Sequence, residues 1–109
     1  MAARFLYVTA ANPDQARTIG EALVRERLVA CVNILAPMSS IYWWQGQIQR
    51  DTEAVLIAKT RSDLVEAVIA RVRALHSYTV PCVVSLAIEE GNPAFLQWIA
   101  DETQPTAIA

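Results

Sequence analysis

A chain of 109 residues suffices for one domain with one core, and here 54% of the residues are hydrophobic while only 18% are charged. The formal net charge is −2 and no run of Lys or Arg occurs, which excludes a phosphate-backbone binder, since that needs a clustered basic face. No apolar run approaches the roughly 18 residues of a membrane helix, so no membrane partner is expected.

Residues 1–109 read as a single domain. The N-terminus lacks a charged leader followed by a long apolar core, so no signal peptide is expected and the cytoplasm is the default compartment. Residues 4–10, RFLYVTA, are nearly continuously apolar and suit a central strand covered on both faces. Asn12-Pro13-Asp14 then opens a helix: Asn12 caps, Pro13 fits the first turn, and Asp14 favours the positive end. This helix is expected to reach about Arg27, with Ala16, Ile19, Leu23 and Val24 on its core face. Arg17, Glu21 and Arg25 form a solvated ladder at i, i+4 spacing.

The stretch from Cys31 to Thr60 organises the rest. Two arms rich in aromatic and β-branched residues flank a polar tip, Gln45-Gly46-Gln47, and Gly46 supplies the positive φ of a tight turn. The spacing predicts one long β-hairpin. Pro37 cannot donate to a ladder, so a bulge or kink is expected there. On the second arm, Glu53, Val55, Ile57 and Lys59 point one way, while Ala54, Leu56 and Ala58 point the other, towards a covering helix. Trp43 and Trp44 face opposite sides, one for an interface and one for a cleft. A hairpin this long overruns so small a body, and its far end has nothing of its own chain to pack on. Self-association is the expected remedy.

A second helix is predicted over 62–75, with Leu64, Val65, Val68, Ile69, Val72 and Leu75 inward. Pro81 biases Val80 away from helix, and residues 82–88, CVVSLAI, form the fourth strand. Gly91-Asn92-Pro93 starts a short last helix carrying Phe95, Leu96 and Ile99, and the tail after Glu102 should fray. The order βαββαβ plus a C-terminal helix is an α+β, ferredoxin-like plait: a four-stranded antiparallel sheet with helices on one face. The other face needs a cover that the chain does not supply.

Few residues can carry chemistry. Cys31 and Cys82 are expected to be reduced, buried thiols, and no zinc spacing is present. His76 reads either as a metal ligand or as a helix-end histidine complementing the dipole. Lys59 reads as an anion partner or as a lysine reaching solvent. Glu53 reads as a metal ligand, as the partner of a lysine across a subunit boundary, or as an exposed carboxylate. An enzyme working through Lys59 and Tyr78 lacks a nameable general base, so no catalysis is expected.

The segments Ala30-Cys31-Val32-Asn33-Ile34, Ser40-x-Tyr42-x-Trp44-x-Gly46-x-Ile48, Glu53 with Lys59-Thr60, His76-x-Tyr78-x-x-Pro81, and Gly91 with Phe95-Leu96-x-Trp98-Ile99 resemble the CutA divalent-cation tolerance family. The resemblance runs from Val8 to Trp98. It implies a tight homotrimer with overlapping hairpins, no enzymatic activity, and a role in tolerance to copper and other divalent metal ions. It also implies that Tyr42, Trp44, Glu53, Lys59, His76 and Tyr78 gather near intersubunit clefts. The chain departs from the family at Ser77, Thr79 and Cys82, and at Val8, where some members carry a cysteine. Cys82, a soft donor close to His76, is the expected substitute ligand, making His76 and Cys82 the candidate copper pair. The alternative is a trimeric sensor holding a small anion or a partner at the intersubunit clefts, beside Lys59, with Tyr42 and Trp44 as walls.

Overall fold

A computed structural model describes residues 2–105. The elements run β1 (Ala3–Ala10), α1 (Pro13–Arg25), β2 (Cys31–Trp44), β3 (Gln47–Arg61), a 3₁₀ turn (Ser62–Leu64), α2 (Val65–Leu75), β4 (Val83–Ile88) and α3 (Pro93–Glu102). The four strands lie in the order β2-β3-β1-β4, and all neighbours are antiparallel. This is the ferredoxin-like arrangement expected from the element order.

Local chemistry accounts for the element ends. Asn12 Oδ1 accepts from the Gln15 amide, and Asn92 Oδ1 accepts from the Ala94 amide, so both Asn-Pro starts cap as expected. Helix α1 stops at Arg25, two residues short of the expected end. Arg27 turns into the left-handed region at φ 56° and its amide reaches the Val24 carbonyl. At the hairpin tip the turn contains only Gln45 and Gly46, with φ of 50° and 79°, because Trp44 already pairs with Gln47. Two successive positive φ values define the type I′ turn, whose twist suits a two-residue hairpin.

The core lies between the helices and one face of the sheet. Leu6, Val8, Ala54, Leu56 and Ala58 from the sheet meet Ala16, Ile19, Leu23, Val68 and Val72 from the helices, all fully buried. The small-large-small face of β3 is therefore the helix-covered one. Gly20 of α1 lets the helix sit close: a Cβ there would lie 2.9 Å from Val32 Cγ2 and 3.0 Å from Leu56 Cδ1. Val24, expected inside, is 39% exposed. It stands one step round the helix from the stripe of Ala16, Ile19 and Leu23, at the edge of the buried arc.

The tail after α3 does not fray where it is described. Thr103 is buried, the Gln104 amide donates to the Arg27 carbonyl at 2.8 Å, and Gln104 Nε2 donates to the Glu26 carbonyl at 2.7 Å. The remainder of that expectation, residues 106–109, lies outside the described residues.

Two features of the hairpin position the candidate site. First, β1 pairs with β3 only over Ala54–Arg61, so residues 47–53 of β3 pair with β2 alone and overhang the body. Second, the register shifts between Leu35 and Met38: three steps along β2 oppose two along β3. That extra residue, at Ala36-Pro37, is the bulge expected from the proline. It also changes which residues share a face. Before it, Cys31, Asn33 and Leu35 lie on the side of the sheet away from the helices; after it, Met38, Ser40, Tyr42 and Trp44 do.

Candidate functional site

The sheet face away from the helices is uncovered and apolar. Cross-strand rows run Cys31–Lys59–Phe5–Leu86 and Asn33–Ile57–Tyr7–Val84, with Leu86 50% and Val84 49% exposed. Where the hairpin leaves the body, this face deepens into an open groove of about 770 Å³. Its floor is Tyr7 and Thr9 of β1. Met38, Ser40, Tyr42, Trp44 and Glu53 of the hairpin form one wall, and Ser77–Val80 with Cys82 form the other.

Hydrogen bonds tie the walls together. Tyr78 Oη donates to Glu53 Oε2 at 2.7 Å, bridging the α2–β4 loop to the hairpin. Tyr42 Oη donates to Asp51 Oδ2 on the overhang. Tyr7 Oη meets Met38 Sδ at 3.5 Å. His76 stands behind Tyr78, the rings 4.6 Å apart. A carbonyl oxygen only accepts, so His76 Nε2 carries the proton that bonds Thr9 O at 2.6 Å. Its Nδ1 then accepts from the Tyr78 amide at 3.1 Å. Both ring nitrogens are thus engaged in holding the loop on β1. Gln15 Nε2 adds a further tie to Ser77 Oγ at 2.7 Å.

Burial, the hydrogen bond to Glu53 and the carboxylate's charge, in that order, push the Tyr78 phenol well above the ordinary tyrosine range. Tyr42 is raised too, first by its hydrogen bond to Asp51. The raised value keeps Tyr78 a donor. Because the folded value exceeds the unfolded one, the stabilisation from Tyr78 is complete below about pH 10 and is lost as pH rises through the folded value. The urea midpoint of the protein should therefore fall more between about pH 8 and about pH 11 than that of Tyr78→Phe. Equal falls would show that the phenol is not shielded.

The model of the family described as CutA1 divalent ion tolerance protein matches residues 4–102. The chain belongs to this family. The protein named "Protein CutA homolog" in Xenopus laevis is 46% identical over 95 residues, 87% of this chain. The chain spans only 63% of that relative's length. The "Divalent-cation tolerance protein CutA" of Archaeoglobus fulgidus is 46% identical over 99 residues, covering 91% of this chain and 95% of that one. The crystal structure of CutA1 from Oryza sativa superposes with a TM-score of 0.94 at 38% identity, covering 97% of each chain.

Against the expected CutA site, the fold brings Tyr42, Trp44, Glu53, Tyr78 and Cys82 to one groove. His76 sits behind that groove rather than in its lining. Lys59 is elsewhere in the single chain. It shares the face of Glu53 but stands six residues along β3, roughly 20 Å away at about 3.3 Å per residue. There it donates to Asn33 Oδ1 at 2.7 Å. Cys31 and Cys82 are unpaired as expected, but neither is buried: Cys31 is half-buried and Cys82, just ahead of β4, is exposed. The face that Cys82 presents is uncovered in one chain, which is why an apolar strand leaves it open.

Sequence reasoning missed Asp51 and Met38. The signal for Asp51 was present: it is two residues from Glu53, so alternation places both on one face. Met38 could not be assigned a face without knowing how many residues the bulge inserts.

Among the described residues, no three His, Cys, Asp or Glu side chains gather as a metal-holding group. His76 can offer Nδ1 only by releasing the Tyr78 amide. No helix among those residues is long and apolar enough to cross a membrane.

Proposed function

We propose that the protein acts in tolerance to divalent cations as a homotrimer without catalytic activity, and that copper is the ion it binds. The family match over residues 4–102 carries this reading. The uncovered sheet face supports self-association: an apolar surface of this breadth on so small a domain marks an interface. Exposed Ile41, Trp43 and Ile48 give the opposite face of the overhang an apolar surface of its own. Cytoplasmic location is part of the proposal, supported by two unpaired thiols.

The ion is cargo, and its place in this reading is the groove at the seam between copies. Cys82 supplies a soft thiolate and His76 an imidazole, the donor types that suit copper. In this reading the ion replaces the Tyr78 amide at His76 Nδ1. Isothermal titration of the wild type, Cys82→Ser and His76→Ala with copper and with zinc tests it. Copper should bind the wild type at least about tenfold tighter than either variant, and zinc should discriminate less. Equal copper affinity in all three proteins removes both ligands from the site.

The second reading, a sensor holding a small anion at an intersubunit cleft, needs Lys59 of the partner subunit beside Tyr42 and Trp44, because one chain holds its own lysine at the other end of the strand.

A further inference from the structure

The groove is lined by several aromatic side chains and a single charge. Tyr7, Tyr42, Trp44 and Tyr78 line it, and Glu53 is the one lining residue with a charged side chain. No Lys or Arg lines it, and among the described residues no Lys or Arg pairs with Glu53. Glu53 is only 7% exposed, and its carboxylate accepts one side-chain hydrogen bond, from the Tyr78 phenol. Burial and that bond keep the phenol protonated at neutral pH, so it brings no second charge to the lining. Asp51, bonded to Tyr42 on the same face of the hairpin, adds negative charge just beyond it. A buried carboxylate without a cation is costly, and a positively charged ligand in the groove would offset that cost.

Size and donor count narrow the kind of cation. A groove of about 770 Å³ matches a small organic ligand and exceeds what a bare ion fills. Aromatic rings attract cations through their electron-rich faces, and several rings gathered together are a recurring means of holding an alkylated ammonium. Tyr42 and Trp44 stand two residues apart on one face of β2, roughly 7 Å at about 3.3 Å per residue, so one ligand reaches both. A primary ammonium brings three N–H donors that each need an acceptor, and Glu53 already shares one oxygen with Tyr78. A quaternary ammonium brings no donor. It presents only alkyl groups, which suit a lining of rings and the Met38 thioether.

We propose that the groove binds a small quaternary ammonium compound, its charge set against Glu53 and its methyl groups against Tyr42, Trp44 and Tyr78. The Tyr78–Glu53 bond holds one ring and the carboxylate together across the α2–β4 loop, and the Tyr42–Asp51 bond steadies the ring on the hairpin. The ligand set uses neither Cys82 nor His76, so the proposal is independent of the copper reading. It opposes the anion reading, in which an added lysine would cancel the groove's charge.

The test is titration of the full-length protein, with chelator present, against three probes of one shape: choline, its neutral isostere with a tert-butyl group in place of trimethylammonium, and the anion tert-butylacetate. Calorimetry and tryptophan fluorescence read the binding. Choline should saturate the protein at least about tenfold more tightly than the neutral isostere, and the anion should bind more weakly still. Glu53→Gln can still accept from the Tyr78 phenol, and it should weaken choline at least about tenfold while leaving the neutral isostere within about twofold. Trp44→Leu should weaken choline by about tenfold, whereas Trp98→Leu, on α3, should bind as the wild type does. Equal affinity for choline and its neutral isostere would overturn the proposal, as would choline binding unchanged in Glu53→Gln. No saturation at millimolar choline by wild-type protein that still titrates copper would overturn this proposal alone. Tightest binding of the anion would overturn it in favour of the anion reading.

Discussion

Leu56→Ala should destabilise the protein by about 3 kcal/mol, a large share of the roughly 5–15 kcal/mol that holds a small domain folded. Leu56 is fully buried at the centre of β3, the strand flanked by both β2 and β1. Its Cδ1 lies where a Cβ on Gly20 would be 3.0 Å away, so helix α1 has been brought down onto this side chain. Truncation removes apolar contact and leaves a cavity that cannot close, because the two neighbouring strands fix the backbone beneath it. Urea unfolding at matched protein concentration measures the effect. A loss under about 1 kcal/mol would mean that α1 follows the missing side chain inward, and that Gly20 does not mark a rigid contact. The consequence reaches the groove, since β3 carries Glu53 on its other face three residues away.

Arg61→Met should cost about 3 kcal/mol by the same measurement, with Arg61→Lys recovering less than half of it. Arg61 is 5% exposed at the end of β3. Its guanidinium donates to both carboxylate oxygens of Asp63, at 2.9 and 3.0 Å, to Thr103 Oγ1 at 2.9 Å, and to the Gln104 carbonyl. One planar fork thus joins the 3₁₀ turn ahead of α2 to the segment after α3. Methionine fills much of the volume but takes the guanidinium's donors away from the buried Thr103 hydroxyl and the part-buried Asp63 and Gln104 oxygens, and those lost bonds dominate the loss. A lysine has the charge without the fork, so it satisfies one direction at a time. Full recovery in Arg61→Lys would show that charge alone holds the clasp. The clasp acts together with the bonds from Gln104 to the Arg27 and Glu26 carbonyls, which tie the same residue to the end of α1.

Much of this architecture was legible because it follows from local rules. Alternation along β3 separated the helix-covered Ala54, Leu56 and Ala58 from Glu53 and Lys59, since successive side chains of a strand must point to opposite faces. Asn12-Pro13 and Asn92-Pro93 marked helix starts because the caps are made within three residues. Gly46 located the hairpin tip, and the excess of apolar residues foretold a face left uncovered. The resemblance to the CutA family was carried by residues at their own positions in the chain and needed no coordinates.

Tertiary structure alone decided what those faces meet. The single residue inserted at Ala36-Pro37 turned Tyr42 and Trp44, rather than Ile41 and Trp43, towards Glu53. Pairing β1 with only part of β3 created the overhang, and the α2–β4 loop brought Tyr78 across to it, closing the groove with a bond between residues 25 apart in sequence. The same geometry set Lys59 and Glu53 of one chain at opposite ends of the body's share of β3, and clasped a tail expected to fray. Alternation and capping are set by neighbours along the chain, whereas register, overhang and hydrogen bonds between distant segments depend on which strands lie side by side, and that is fixed only when the whole core packs.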